Sequence, residues 1–196
     1  MGTVTRLKKK YSGPNHPWEA VRIEEERIFK KEYGFKNKKE IWKSTSKVRK
    51  IKSQAKKLIA STTEQSKKEE ILLIEKLVKL GVLKEGGTLD NILEIGQKNL
   101  FNRRLQSLVL TKGLARTSKQ ARQMITHGHI TINGRKTNIP SYLVPVKEEG
   151  SIKYSPNSAF NDKEHPERNI GKKEIMPTKK VEAPETKEEQ PQEVAS

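Results

Sequence analysis

From Arg103 to Val144 the chain contains no aspartate or glutamate, yet it holds Arg103, Arg104, Lys112, Arg116, Lys119, Arg122, Arg135 and Lys136. Apolar residues in the same stretch recur first at helical and then at strand spacing, so it is built to pack. Cations crowded onto a packed unit repel one another unless anions meet them. An acid-free stretch of this kind is hard to explain without a polyanion outside it. The rest of the sequence repeats the theme in blocks. Residues 1–60 carry 18 basic and 6 acidic side chains, net +12, and residues 61–100 carry 6 and 7, net −1. Residues 101–160 carry 10 and 2, net +8, and residues 161–196 carry 7 and 9, net −2. Two basic blocks parted by a near-neutral spacer point to two polyanion-facing surfaces.

Composition limits what else the chain can be. Only 32% of its 196 residues are hydrophobic and the mean hydropathy is −0.86. The core must be small for this length, with part of the chain unpacked. There is no cysteine, which excludes disulfides, thiolate zinc sites and cysteine nucleophiles. No apolar run approaches the ~18 residues needed to span a bilayer, and the N-terminus has no apolar stretch of the secretory kind. A soluble, intracellular protein with no membrane partner is expected. The histidines are His16, His127, His129 and His165, without further ligands close in sequence, so no metal and no cofactor is expected. There is no phosphate-binding glycine loop, no dinucleotide fingerprint and no nucleophile elbow. The carboxylates cluster with lysines as surface pairs. No catalytic residues are assigned, and the chain is not expected to be an enzyme.

The order of signals suggests a mainly helical α+β protein. Residues 1–15, with Arg6, Lys8, Lys9 and Lys10, read as a basic arm mixed with Gly and Pro. Residues 16–96 read as a helical domain. Its first helix spans about 17–33, with Pro17 in the first turn, Trp18, Val21, Ile28 and Phe29 on one stripe, and Gly34 as the stop. Asn37 with Glu40 has the capping-box pattern for a second helix, whose apolar side is Ile41, Val48, Ile51, Ala55 and Leu58. Its other positions are mostly cationic, among them Lys43, Lys47, Arg49, Lys50, Lys52 and Lys56. That pattern suits a helix between a small core and a phosphate backbone, or an ordinary solvated lysine-rich face. Ser66 with Glu69 predicts a third helix ending at Gly81, and Thr88 or Asp90 caps a short fourth.

Residues 97–160 read as a second, smaller domain: helix, turn, helix and a short β-ribbon. Leu100, Phe101, Leu105, Leu108 and Val109 predict one helix ending at Gly113, with Arg103 and Arg104 on it. Thr117 with Gln120 caps the next, which stops at Gly128. Ile130, Ile132 and the Asn133-Gly134 turn predict a hairpin, and "SYLVPV" and "SIKYS" read as further short strands. A helix N-terminus with Thr117, Ser118, Lys119 and Arg116 nearby is a phosphate site, and Arg122 continues its cationic side. Trp18 and Trp42 are read as core rather than base-stacking residues. His127 suits either an RNA contact or the helix end beside Gly128. Residues 161–196 form an extension expected to be disordered after about 171.

The run of Arg-Leu, Gly-Leu-Ala, Thr-Ser-Lys-Gln-Ala-Arg, Ile-Thr-His-Gly-His-Ile and Asn-Gly resembles the S-four RNA-binding domain, in which two helices and a small ribbon grip structured RNA. "KKYSGPNHPWEAVRIEEE", "YGFKNKKEIWK" and "EHPER" resemble the archaeal branch of the small-subunit ribosomal protein S-four family, and the likeness runs over about 7–170. It implies a structural component of the small ribosomal subunit in the cytoplasm. Such a protein binds a multi-helix junction in the 5′ domain of small-subunit rRNA early in assembly. It sits where mRNA enters, beside other ribosomal proteins, and bears on decoding accuracy; no homo-oligomer is expected. Carried onto matching positions, the RNA-facing set is Arg103, Arg104, Lys112, Arg116, Thr117, Ser118, Lys119, Arg122, Gln123, His127, Arg135 and Lys136. From the N-terminal half, Arg6, Lys8, Lys9, Lys10, Lys43, Lys47, Arg49 and Lys50 join it. Family members often have an acid after Arg-Leu, where this chain has Gln106. Two other classes compete: an RNA-modifying or tRNA-charging enzyme with this unit as an accessory, for which residues 1–96 are too few and too lysine-rich, and a free RNA chaperone or DNA-binding regulator.

Overall fold

The computed structural model describes residues 9, 11–162 and 165. Arg6, Lys8, Lys10 and the expected disordered tail lie outside the described residues. Among the described residues seven α-helices precede a small antiparallel ribbon, which an eighth interrupts and a 3-10 turn (Ala159–Asn161) follows. Helices α1 (Ala20–Glu32), α2 (Lys38–Ala60), α3 (Glu64–Lys79) and α4 (Leu89–Glu94) precede α5 (Gln97–Asn102), α6 (Leu105–Thr111) and α7 (Ser118–Thr126). The ribbon is β1 (Ile130–Ile132), β2 (Arg135–Lys136) and β3 (Lys153–Tyr154), with α8 (Val146–Glu149) between the last two strands. The mainly helical α+β class expected from the sequence is what the chain adopts.

Helix α2 is the spine, roughly 35 Å long at 1.5 Å per residue. It buries Ile41, Val48, Ala55 and Leu58, one side of the helix, and leaves most of its lysines outside. Its C-terminal half packs with Leu73 and Leu77 of α3 and with Ile92 and Ile95. Its N-terminal turn meets a second cluster, in which Phe35, Ile41 and Phe101 gather Phe29 and Tyr33. Phe35 and Phe101 meet edge to face with centroids 4.9 Å apart. The third cluster is the core of residues 105–152, where Leu105, Val109, Ala121, Ile125, Ile130 and Val144 are fully buried. In the sheet the order is β2-β1-β3, with Ile132 opposite Arg135 and Ile130 opposite Tyr154. Asn133 and Gly134 both take positive φ, as a two-residue hairpin turn requires.

Several local readings are corrected. The first helix starts at Ala20, not Pro17. Arg22 donates to the carbonyls of His16 and Pro17 at 3.0 and 2.8 Å, which holds those residues in a loop. Trp18 is therefore 90% exposed instead of packed, Val21 and Ile28 are exposed too, and the residue α1 buries is Glu26. The third helix is capped by Thr63, whose hydroxyl accepts from the Ser66 N–H at 3.3 Å, so Ser66 lies inside the first turn instead of capping it.

The helix expected over 97–113 is two helices. Arg104 between them is extended (φ −72°, ψ 142°) and bridges to Leu143. Leu105 N–H donates to the Tyr142 carbonyl at 2.8 Å and Gln106 N–H to the Pro140 carbonyl, while Val144 N–H donates to the Arg103 carbonyl. The "SYLV" segment thus serves as a backbone cap for α6 rather than as a regular strand. The following residues, read as part of a strand, form the single turn α8.

Candidate nucleic-acid interface

Glu40 has the spacing of a capping residue, but the Asn37 side chain makes no capping hydrogen bond. Instead the Glu40 carboxylate joins the two halves of the molecule. Arg104 Nη2 donates to Oε2 at 2.5 Å, and Arg122 donates through Nη2 to Oε1 at 2.9 Å and through Nη1 to Oε2 at 3.3 Å. Burial on its own would raise the Glu40 pKa; the hydrogen bond from Arg122 and the charges of Arg104 and Arg122 outweigh it and hold the group below its ordinary range. Arg104 is only 4% exposed and its guanidinium also lies 4.7 Å over the Phe35 ring. Burial pushes its pKa down despite Glu40.

Three of the arginines in the acid-free stretch thus find carboxylates from outside it. Arg103 pairs with Glu149 at 2.8 Å and donates to the Val144 carbonyl at 2.8 Å. Arg104 and Arg122 share Glu40. Gln106 is buried and donates to the carbonyls of Gly34 and Ser118 at 3.2 and 2.7 Å. It ties α6 to the α1–α2 turn and to α7. Gly34 is required there: its φ is +63°, and a Cβ would stand 2.7 Å from the Ser118 hydroxyl.

Around Glu40 a cleft of about 350 Å³ opens between α2 and the 140–143 segment, lined by Lys39, Lys43, Lys47, Arg104 and Arg122. One carboxylate faces these five cations among its lining residues. Desolvation, and then the charges of Arg104 and Lys43, push the Lys47 ammonium below its ordinary pKa. Cations gathered this closely around one carboxylate gain from any anion placed between them. A second groove, about 620 Å³, runs along the next turns of α2 between Arg49, Lys52, Lys56 and the Ile95–Gln97 bend. Lys52 and Lys56 are absent from the predicted set; their spacing of three and seven from Arg49 is the signal that places them on one side of the helix. Lys50 is exposed and lines neither groove.

The other predicted residues divide by placement. Arg116 and Lys119 are exposed at the start of α7, and Arg135 and Lys136 are exposed on β2. Thr117 is the helix cap, accepting from Gln120 N–H at 3.1 Å, while the Gln120 side chain accepts from Arg116 N–H at 2.8 Å. Ser118 is half-buried against Gly34, so it serves packing. The Lys112 ammonium donates to the Glu149 carbonyl. Gln123 on α7 and His127, the residue that follows its end, are exposed and line a third cavity. Lys9 is exposed with its ammonium 4.8 Å from the Tyr11 ring, which stacks on Trp42 at 6.2 Å. Trp42 Nε1 donates to Glu26 at 2.8 Å, which ties α2 to α1. Burial raises the Glu26 pKa, but hydrogen bonds from Trp42, Arg22 and Lys38 bring it below its ordinary value.

Among the described residues no group of three or more potential ligands is placed to hold a metal, and no helix is long and apolar enough to cross a membrane. The family described as the S4 domain matches residues 103–149, from Arg103 to the acid that pairs with it. Over 169 residues the chain is 51% identical to the small ribosomal subunit protein uS4 of Methanococcus aeolicus, covering 86% of this chain and 96% of that one. The proteins of the same description from Methanococcus vannielii and from Methanococcus maripaludis strain C7 are 50% and 48% identical over the same length, covering 86% of this chain and 95% of each.

Proposed function

Because the chain belongs to the uS4 family of small ribosomal subunit proteins, we propose that it is a structural, non-catalytic component of the cytoplasmic ribosome. It binds small-subunit rRNA directly. The target is a multi-helix junction in the 5′ domain, engaged early in assembly, where phosphates of several strands crowd together. The observation that carries this reading is the cleft in which Lys39, Lys43, Lys47, Arg104 and Arg122 surround the single carboxylate of Glu40. The second groove, at Arg49, Lys52 and Lys56, extends the same surface along α2. Arg116, Lys119, Arg135 and Lys136 supply exposed cations on the S-four unit. Rigid joining through Glu40 keeps the two faces at fixed spacing, so these cationic faces read the fold of the RNA rather than its base edges. Neighbouring ribosomal proteins and mRNA at the mouth of its channel complete the partners, and the placement there bears on decoding accuracy.

A filter-binding salt titration with a 5′-domain transcript tests this. Contact with roughly eight to ten phosphates at about −0.7 to −0.9 per phosphate costs several orders of magnitude in affinity over a fourfold rise in salt. A slope near zero overturns the electrostatic account. Retention on small subunits through a high-salt sedimentation separates a resident ribosomal protein from a free RNA chaperone, which washes off.

A further inference from the structure

Cavity three lies apart from both α2 grooves. It encloses about 340 Å³ between α7 and the segment that follows the ribbon, and it is lined by Gln120, Gln123, Met124, His127, His129 and Phe160. Met124 is 4% exposed and forms an apolar floor. Phe160 and His129 form a wall, meeting edge to face at 5.0 Å. The wall is fixed from behind: His129 Nδ1 and the Ser158 hydroxyl are 2.9 Å apart, and the same hydroxyl accepts the Phe160 N–H at 3.2 Å. At the rim the exposed His127 ring lies nearly parallel to His129, with an interplanar angle of 28° and centroids 6.3 Å apart. Gln123 stands one turn before His127 on α7, exposed, and its side-chain amide makes no hydrogen bond among the described residues. None of the described residues lining this cavity carries a fixed charge, in contrast to the lysine-lined clefts on α2.

Aromatic and imidazole faces over an apolar floor, with an amide at the edge, match one ligand chemistry. They stack on a flat heterocycle and hydrogen-bond its polar edge. The phosphates of the nucleotide that carries such a heterocycle fall to Lys119, exposed one turn before Gln123 on the same helix. The geometry points to a pocket for a single unpaired RNA base, stacked on His127 and read at its edge by Gln123. This rests on the proposed rRNA binding and adds to it a contact with a base, where the cationic clefts meet only the backbone.

The test uses the full chain, the 5′-domain transcript and the variants His127→Ala, His127→Phe and His127→Lys, with thermal melting to show that each stays folded. A stacking contact predicts a loss of roughly 5- to 100-fold for His127→Ala at constant salt. The salt slope stays unchanged, since no phosphate contact is lost. Phe restores affinity and Lys does not. Scanning the transcript with single abasic nucleotides then finds one position at which His127→Ala costs nothing further. An unchanged affinity in His127→Ala overturns the proposal. So does rescue by Lys with a steeper slope, which makes His127 a phosphate contact. Failure of the wild-type chain to bind the transcript with a salt slope defeats the underlying rRNA reading instead, and it is seen before any variant is compared.

Discussion

Glu40 and Arg122 stand 82 positions apart in the chain and 2.9 Å apart in space. Their pairing, with Arg104 on the other carboxylate oxygen, fastens the first turn of α2 to both helices of the S-four unit. The Glu40 and Arg104 side chains are 18% and 5% exposed. Removing the acid leaves a buried guanidinium without its counter-charge, a change that costs about 3 kcal/mol or more. Glu40→Ala is expected to lower the urea midpoint accordingly. Arg122→Ala, at a more exposed site, is expected to lose about 1 kcal/mol. Equal losses would mean that Arg104 does not depend on Glu40.

Acid should loosen the same joint. Glu40 and Glu26 both sit below the ordinary carboxylate value of 4.5 when folded. A depressed folded pKa contributes stability that is present above the unfolded value and is lost as pH falls through the folded one. The urea midpoint should therefore hold from neutrality to about pH 5 and drop below the 4.5 of the unfolded carboxyl. Glu40→Gln should be less stable at neutral pH and flatter below it. A variant as steep as the parent would place the acid sensitivity elsewhere.

The lysines of the cleft should weigh on RNA and not on folding. Lys43 and Lys47 are exposed on α2 and hold no ion pair with a carboxylate among the described residues. Replacing either with Ala should reduce the slope of log affinity against log salt by about 0.7 to 0.9. The melting temperature should stay the same or rise, since like charges are relieved. Lys50→Ala, away from both grooves, serves as the comparison, and an equal loss there would make the cleft nothing special.

Gly34 sets how close α7 comes to the α1–α2 turn. Gly34→Ala imposes a left-handed residue with a Cβ and drives it into Ser118. Denaturation should show a loss of roughly 1–3 kcal/mol. A second change, Ser118→Gly, should recover part of it by clearing the space.

Features encoded by adjacent residues were legible in the sequence; those made by distant ones were not. Thr117 with Gln120 predicts a cap, and the cap is there because both partners lie within one turn. Asn133-Gly134 predicts a tight hairpin for the same reason. Glu40 has the spacing of a cap residue, but its partners are 64 and 82 positions away, and no local pattern shows them. The break at Arg103–Arg104 is equally hidden. The apolar spacing there fits one continuous helix, and what interrupts it is the backbone of residues 140–144. Trp18 fails in the opposite sense: the stripe is real in sequence, but Arg22 holds the chain out of the helix before Trp18 can join it.

The backbone cap on α6 has a temporal side. Its donors at Leu105 and Gln106 are satisfied by carbonyls at Tyr142 and Pro140, more than thirty residues downstream. During synthesis those acceptors leave the exit tunnel after the donors. The segment that carries most of the acid-free charge therefore waits, incompletely paired, until nearly the whole S-four unit has been made. Nascent chains halted before Pro140 should stay protease-sensitive there, whereas α2 and α3, joined by a three-residue turn, have their partners already in hand.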